Sequence, residues 1–149
     1  MSITRLDPNV IFLGGDRTQI NDVACSIAIT PGMLVERFNN AGITRWRPAT
    51  TNGLAGPAAV ATDHAMANKG VNDVYNINDL VEVSILHKGA TAWMFLASGS
   101  GNVVYGDFLG DNGSSTAGTL KLSPTVPRFV ALEAKSNINT LTRIRVEAI

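Results

Sequence analysis

The sequence predicts a mainly β fold: a small β-barrel or β-sandwich-like domain with an extended N-terminal segment and at most one or two short helices. Three observations carry this reading. Short apolar or alternating runs recur at intervals of about ten residues, separated by Gly-rich turns, the spacing of small barrels and sandwiches. Strand–helix–strand alternation is absent, which argues against a parallel nucleotide-binding sheet. The chain has 149 residues, 45% of them apolar, which is too apolar for a disordered chain and long enough for a single domain with one core.

The elements follow in order. Val10-Ile11-Phe12-Leu13 is a short apolar run ended by Gly14-Gly15. Pro31-Gly32 turns the chain into Met33-Leu34-Val35 and on to Phe38. Asn39-Asn40-Ala41-Gly42 turns it again into Ile43-Thr44-Arg45-Trp46-Arg47, stopped by Pro48. Ala58 to Ala61 is a short strand, and Thr62-Asp63 caps a one-turn helix, His64 to Asn68, ended by Lys69-Gly70. Val81-Glu82-Val83-Ser84-Ile85 alternates and is β-branched, the mark of a half-buried strand. After His87-Lys88-Gly89, Ala92 to Ala97 is apolar on both parities, so it is covered on both faces. The two runs read as a hairpin with His87 at its tip.

Val103-Val104-Tyr105 is the next strand, broken by Gly106-Asp107 before Phe108-Leu109. Gly110 to Gly118 is a polar loop, Thr119 to Leu122 a short strand, and Arg128 to Ala134 another, with Pro124 and Pro127 bracketing the turn between them. Thr140 to Ile149 has the clearest pattern. Thr142, Ile144, Val146 and Ala148 share one face, which packs on the core. Arg143, Arg145 and Glu147 share the other, which is wet or docks on a polar partner.

Charge narrows the function. Twelve basic and twelve acidic residues give a net charge of zero, so direct nucleic-acid binding is not expected. Charged residues make up only 16%, and a chain of so few ionised groups tends to associate, which points to a homo-oligomer or another covering chain. No run approaches the roughly 18 apolar residues of a membrane span, and the N-terminus has no apolar segment of signal-peptide type.

No motif carries catalysis. Cys25, in an apolar stretch, reads as a small buried hydrophobe, and a single cysteine excludes a disulfide framework. His64 and His87 have no metal-ligand spacing. Gly99-Ser100-Gly101 is followed by strand-like residues, whereas a phosphate loop must open a helix. Asp107, Asp111 and Asn112 lack the ligand order of a calcium loop and read as turn caps. In Arg45-Trp46-Arg47 the ring points away from the two cations, so the strand buries Trp46. Glu36, Glu82, Glu133 and Glu147 read as solvated faces or interface ion pairs. The expectation is a non-enzymatic chain without cofactor or metal. The competing class, a small barrel enzyme or ligand binder, requires a pocket of converging polar groups.

From Thr30 onward the order of short phrases resembles a known family. Pro31-Gly32-Met33-Leu34-Val35 precedes a Gly/Ala-rich stretch, Gly53 to Ala61, and then Asp63 to Lys69. Asn78 to Val83, Gly89 to Leu96, Val103 to Leu109, Gly118-Thr119-Leu120, Phe129 to Ala134 and Leu141 to Ile149 follow. This order is similar to the head-decoration, or cement, proteins of tailed bacteriophages. The resemblance implies a structural virion protein, made in the host bacterial cytoplasm and bound to the outer surface of the capsid. There it stabilises the shell by bridging major capsid protein subunits, commonly as a homotrimer. It also implies an N-terminal arm or extended segment over residues 1–25 and a single β-rich decoration domain over 26–149. Ile3, Leu6, Val10 and Phe12 are then the expected capsid contacts, and Trp93, Phe95, Arg143 and Arg145 the expected subunit interface. The alternative is another virion component of similar β build, such as a tail or fibre-base protein.

Overall fold

The computed structural model describes residues 10–50, 57–99, 101–113, 116–123, 126–136 and 140–149. Eleven strands are described: β1 (Phe12–Gly14), β2 (Arg17–Ile20), β3 (Val35–Asn40), β4 (Ile43–Pro48), β5 (Ala59–Ala61), β6 (Val83–Leu86), β7 (Thr91–Leu96), β8 (Phe108–Asp111), β9 (Leu120–Leu122), β10 (Phe129–Ala131) and β11 (Thr142–Ala148). The described helical structure is one 3-10 turn, Ala65–Ala67. The mainly β expectation therefore holds.

Five strands close into a barrel in the order β7-β11-β10-β8-β9. The ring is shut by a parallel contact between Leu96 of β7 and Leu120 of β9. The interior is filled with side chains, as in other small barrels. Ala92, Met94, Leu96, Leu109, Leu120, Phe129, Ala131, Ile144, Val146 and Ala148 all point inward and are buried. The period-two pattern of β11 forces this: Ile144 faces Met94 and Val146 faces Ala92 across the ladder.

β1 adds an extra strand to this sheet beside β7, and the other five strands build a second layer. β2, β6 and β5 form a three-stranded sheet, and β3 and β4 form a hairpin. Residues 24–25 join the two, through bridges from Cys25 to Trp46 and from Ala24 to Leu80. A second apolar cluster fills this layer, with Cys25, Ile29, Val35, Trp46, Ala59, Ala61, Tyr75, Val81 and Val83 buried. The single core expected from chain length is thus two clusters. β5 is the wall between them: Val60 points into the barrel cluster, while Ala59 and Ala61 point into the second. That is why Ala58 to Ala61 is apolar without alternation.

The expected hairpin between residues 81–85 and 91–98 does not form. β6 pairs with β2 and β5, whereas β7 pairs with β1, β11 and β9. His87-Lys88-Gly89 is a corner that moves the chain from one sheet to the other. The N-terminal segment makes the same turn at Gly15, whose φ is +93°. The two segments run antiparallel as one bent ribbon, from Ile20 opposite Val83 to Phe12 opposite Ala92. At the corner a Cβ on residue 15 would lie 2.6 Å from the Ala90 Cα, so the close approach requires glycine.

Two further expectations change. Val103-Val104-Tyr105 is no strand: Val103 makes one bridge, to Lys135, and the chain then turns. Asp63 does not cap the helical turn, because its Oδ1 accepts the Ile11 N–H at 2.9 Å.

Candidate interaction surface

The outer wall of the barrel brings the four expected interface residues together. On β7, Trp93 and Phe95 alternate with inward residues. On β11, Arg145 lies opposite Trp93 and Arg143 opposite Phe95. Each guanidinium covers its aromatic partner, Arg143 at 4.6 Å and Arg145 at 5.8 Å from the ring centroid. This is the covering that the doubly apolar β7 required.

The two pairs differ in surroundings. Arg143 is buried, and its guanidinium donates to Asn72 Oδ1 at 3.0 Å, to the Pro31 carbonyl at 3.0 Å and to the Val71 carbonyl. It therefore ties the barrel to loops of the second layer. Arg145 is exposed and lies 3.3 Å from Glu133 Oε2, and Glu133 also sits 3.6 Å from Lys135 Nζ. With Trp93 half-buried beneath it, this pair faces outward.

The wall continues across the sheet. Thr91, Glu147, Val130 and Phe108 lie side by side on its outer face. Phe108 is 47% exposed, and Tyr105, on the preceding turn, is 72% exposed. Aromatic and Arg side chains with few unpaired charges make up the composition of protein–protein contact regions. Phe108 and Tyr105 were not among the residues expected from the sequence, although an aromatic on a strand with polar turns at both ends was a usable signal.

Among the expected capsid contacts, Val10 is 45% exposed. Phe12 is half-buried against the barrel core, with the Arg17 guanidinium 4.0 Å from its ring centroid. Ile3 and Leu6 lie outside the described residues.

The polar groups weighed as chemistry are committed to structure. Asp107 Oδ2 accepts the Val104 N–H and Asp111 Oδ1 accepts the Gly113 N–H, as expected of turn caps. Trp46 and Cys25 are buried, and the thiol donates to the Asn76 carbonyl at 2.8 Å. Burial, aided by the charge of Asp79, pushes the Cys25 thiol pKa up. Glu36 and Glu82 are buried rather than solvated, and they pair within the chain. Glu36 lies 2.8 Å from Arg47, and Glu82 lies 3.4 Å from His64. Glu36 is held by Arg47 and Thr50, and Glu82 lies beside His64, so each carboxylate faces a partner of this chain rather than open water. His87 Nε2 lies 2.8 Å from Thr18 Oγ1 on the exposed ribbon. Among the described residues, no three His, Cys, Asp or Glu side chains come together as a metal site, and no helix is long and apolar enough to cross a membrane.

No protein-family model and no curated protein matches the chain. Among solved structures, the fold is similar to that of the head fiber gp8.5 N base in bacteriophage phi29. The TM-score is 0.55 and the identity 12%, and the match covers 90% of this chain and 98% of that chain. The class defined by fold is therefore a small closed barrel with an added β layer, and that solved chain shares it over nearly its full length.

Proposed function

We propose that this chain is a structural protein of a bacteriophage virion, the base module of an appendage seated on the head, with no enzymatic activity. The observation that carries the reading is the whole-length fold likeness to a head-fibre base. The outer wall of β7, β11, β10 and β8 supplies the contact surface, with Trp93, Arg145, Phe108 and Tyr105 meeting a neighbouring subunit or the major capsid protein. Low charge suits a chain that is covered on assembly. Binding the assembled head and not its free subunits stabilises the head by mass action, and repeated copies raise the effective affinity.

The cement reading, in which a homotrimer bridges capsid subunits, places the chain on the same outer surface. It differs in that nothing need project from it. The fold likeness to a head-fibre base favours the base reading.

The test uses heads purified from phage in which this chain has been deleted. The purified chain is added and the heads are sedimented. Co-sedimentation supports the proposal, and its loss in a Tyr105→Ser, Phe108→Ser double variant that still folds assigns the wall. Protein left in the supernatant at micromolar concentration overturns the proposal. Electron microscopy of labelled virions then separates a fibre base from a lattice cement.

A further inference from the structure

We propose that a pocket beside the β3–β4 hairpin takes an apolar side chain of a partner polypeptide whose adjacent carboxylate pairs with Arg37. This goes beyond the virion role and does not depend on it, because the pocket lies in the second layer and shares no residue with the barrel wall.

The pocket holds about 250 Å³ and is lined by Val35, Trp46, Ala59, Ile85 and Pro57, with Glu36 and Arg37 as its polar members. That is below the roughly 300–1,000 Å³ of sites for whole small molecules, and it suits one aliphatic or aromatic side chain. The floor is rigid. Trp46, Ala59 and Val35 belong to the buried second cluster.

Charge selects the occupant. The hairpin carries Arg37, Arg45 and Arg47 against one acid, Glu36. Glu36 is already committed, accepting from Arg47 Nε at 2.8 Å and from the Thr50 hydroxyl at 3.0 Å. Arg45 donates to Asn78 Oδ1 at 3.0 Å. Arg37 is exposed, and its guanidinium stands 5.0 Å from the Trp46 ring centroid with no acidic partner among the described residues. A cation pre-oriented on an aromatic at the mouth of an apolar pocket is complementary to a carboxylate beside an apolar group. Nucleic acid fits less well, because Trp46 is buried and the Arg37 guanidinium already lies over its ring, which leaves a base no exposed face to stack on.

The test follows the two indole N–H resonances of the ¹⁵N-labelled full chain, assigned with a Trp93→Phe variant. The probe is N-acetyl-leucyl-aspartate amide. It is compared with N-acetyl-leucyl-asparagine amide, N-acetyl-glycyl-aspartate amide, inorganic phosphate and oligothymidylate. The expected result is a saturable shift of the Trp46 resonance with that of Trp93 unmoved, and weakening by about tenfold in both the asparagine and the glycyl probes. In Arg37→Gln, an exposed change that leaves the fold intact, the aspartate and asparagine probes bind alike. An unmoved Trp46 resonance, equal binding of the aspartate and asparagine probes by the unmodified chain, or stronger binding of phosphate or oligothymidylate overturns the proposal. So does a Trp46 shift produced by concentrating the protein alone, which assigns the pocket to a second copy. Because the readout needs no phage head, failure here leaves the co-sedimentation result standing, and the reverse also holds.

Discussion

Arg143 and Phe95 face each other across the β7–β11 ladder, and the guanidinium stacked on the ring also reaches two carbonyls and an amide of the second layer. A buried cation is tolerated only where its donors are met, and here the loops at Pro31 and Val71 meet them. Arg143→Ala leaves those acceptors without partners and is expected to cost about 2–4 kcal/mol. Arg143→Lys recovers less than half of that, since an ammonium cannot reproduce the planar fork. Urea unfolding at constant slope measures both. A loss below about 1 kcal/mol for the alanine variant refutes the tie.

Acid should act partly through Glu36. Burial pushes its carboxyl pKa up, but hydrogen bonds from the Thr50 N–H, the Thr50 hydroxyl and Arg47, with the charge of Arg47, outweigh burial and hold it below the usual carboxylate value. A carboxyl lowered in the folded state contributes stability above its unfolded pKa, and that contribution is lost as pH falls through the folded value. Glu36→Gln is therefore less stable at neutral pH and loses less on acidification to about pH 3. Urea midpoints at the two pH values give the comparison. Parallel losses in both proteins contradict it.

The Cys25 thiol is buried and its ionisation suppressed. Since the thiolate is the reactive form, a disulfide reagent such as Ellman's should leave the native chain unmodified over many minutes and titrate one thiol after unfolding in urea. Stoichiometric reaction of the folded protein would falsify the placement of Cys25 in the second cluster.

At the ribbon corner, Gly15→Ala combines a positive φ with a Cβ 2.6 Å from the Ala90 Cα. The backbone conformation alone costs about 1–2 kcal/mol and the overlap adds to it. Gly42→Ala has a φ of +85° but open space around the added carbon, so its cost stays near the backbone term. Equal losses in the two variants, read from thermal midpoints, count against the close packing of residues 15 and 90.

The hairpin tip offers a gain. Ala41 and Gly42 both have positive φ, +52° and +85°, as the two-residue turn between Asn40 and Ile43 requires. Ala41→Asn places a residue tolerant of that conformation there and should stabilise the protein by about 0.5–1 kcal/mol. An unchanged or lowered urea midpoint speaks against it.

The barrel strands were legible because each has one buried face. The alternation of β11 and the double apolarity of β7 follow directly from their neighbours. β2 was missed because Arg17-Thr18-Gln19-Ile20 lies at a sheet edge with its middle residues exposed, so no apolar run marks it. The β6–β7 pairing was misread because a Gly-containing turn fits a sheet-changing corner as well as a hairpin, and strand partners 63 to 80 residues distant decide between them. The buried state of Glu36 and Glu82 was hidden because both look solvated until the fold brings Arg47 and Thr50 to one and His64 to the other. Trp93, Phe95, Arg143 and Arg145 were expected at an interface from a doubly apolar run and a polar strand face, and the β7–β11 register sets them in two facing pairs.

The ring of five strands also dictates an order of events during synthesis. β11 is the eleventh of the described strands to leave the ribosome, yet it stands between β7 and β10. Until it emerges, β7 lacks one flank and the barrel has no seam to shut. A nascent or prematurely terminated chain therefore displays raw strand edges and oily interior to its surroundings. Stop codons ahead of Thr142 should yield inclusion bodies rather than a shortened soluble product.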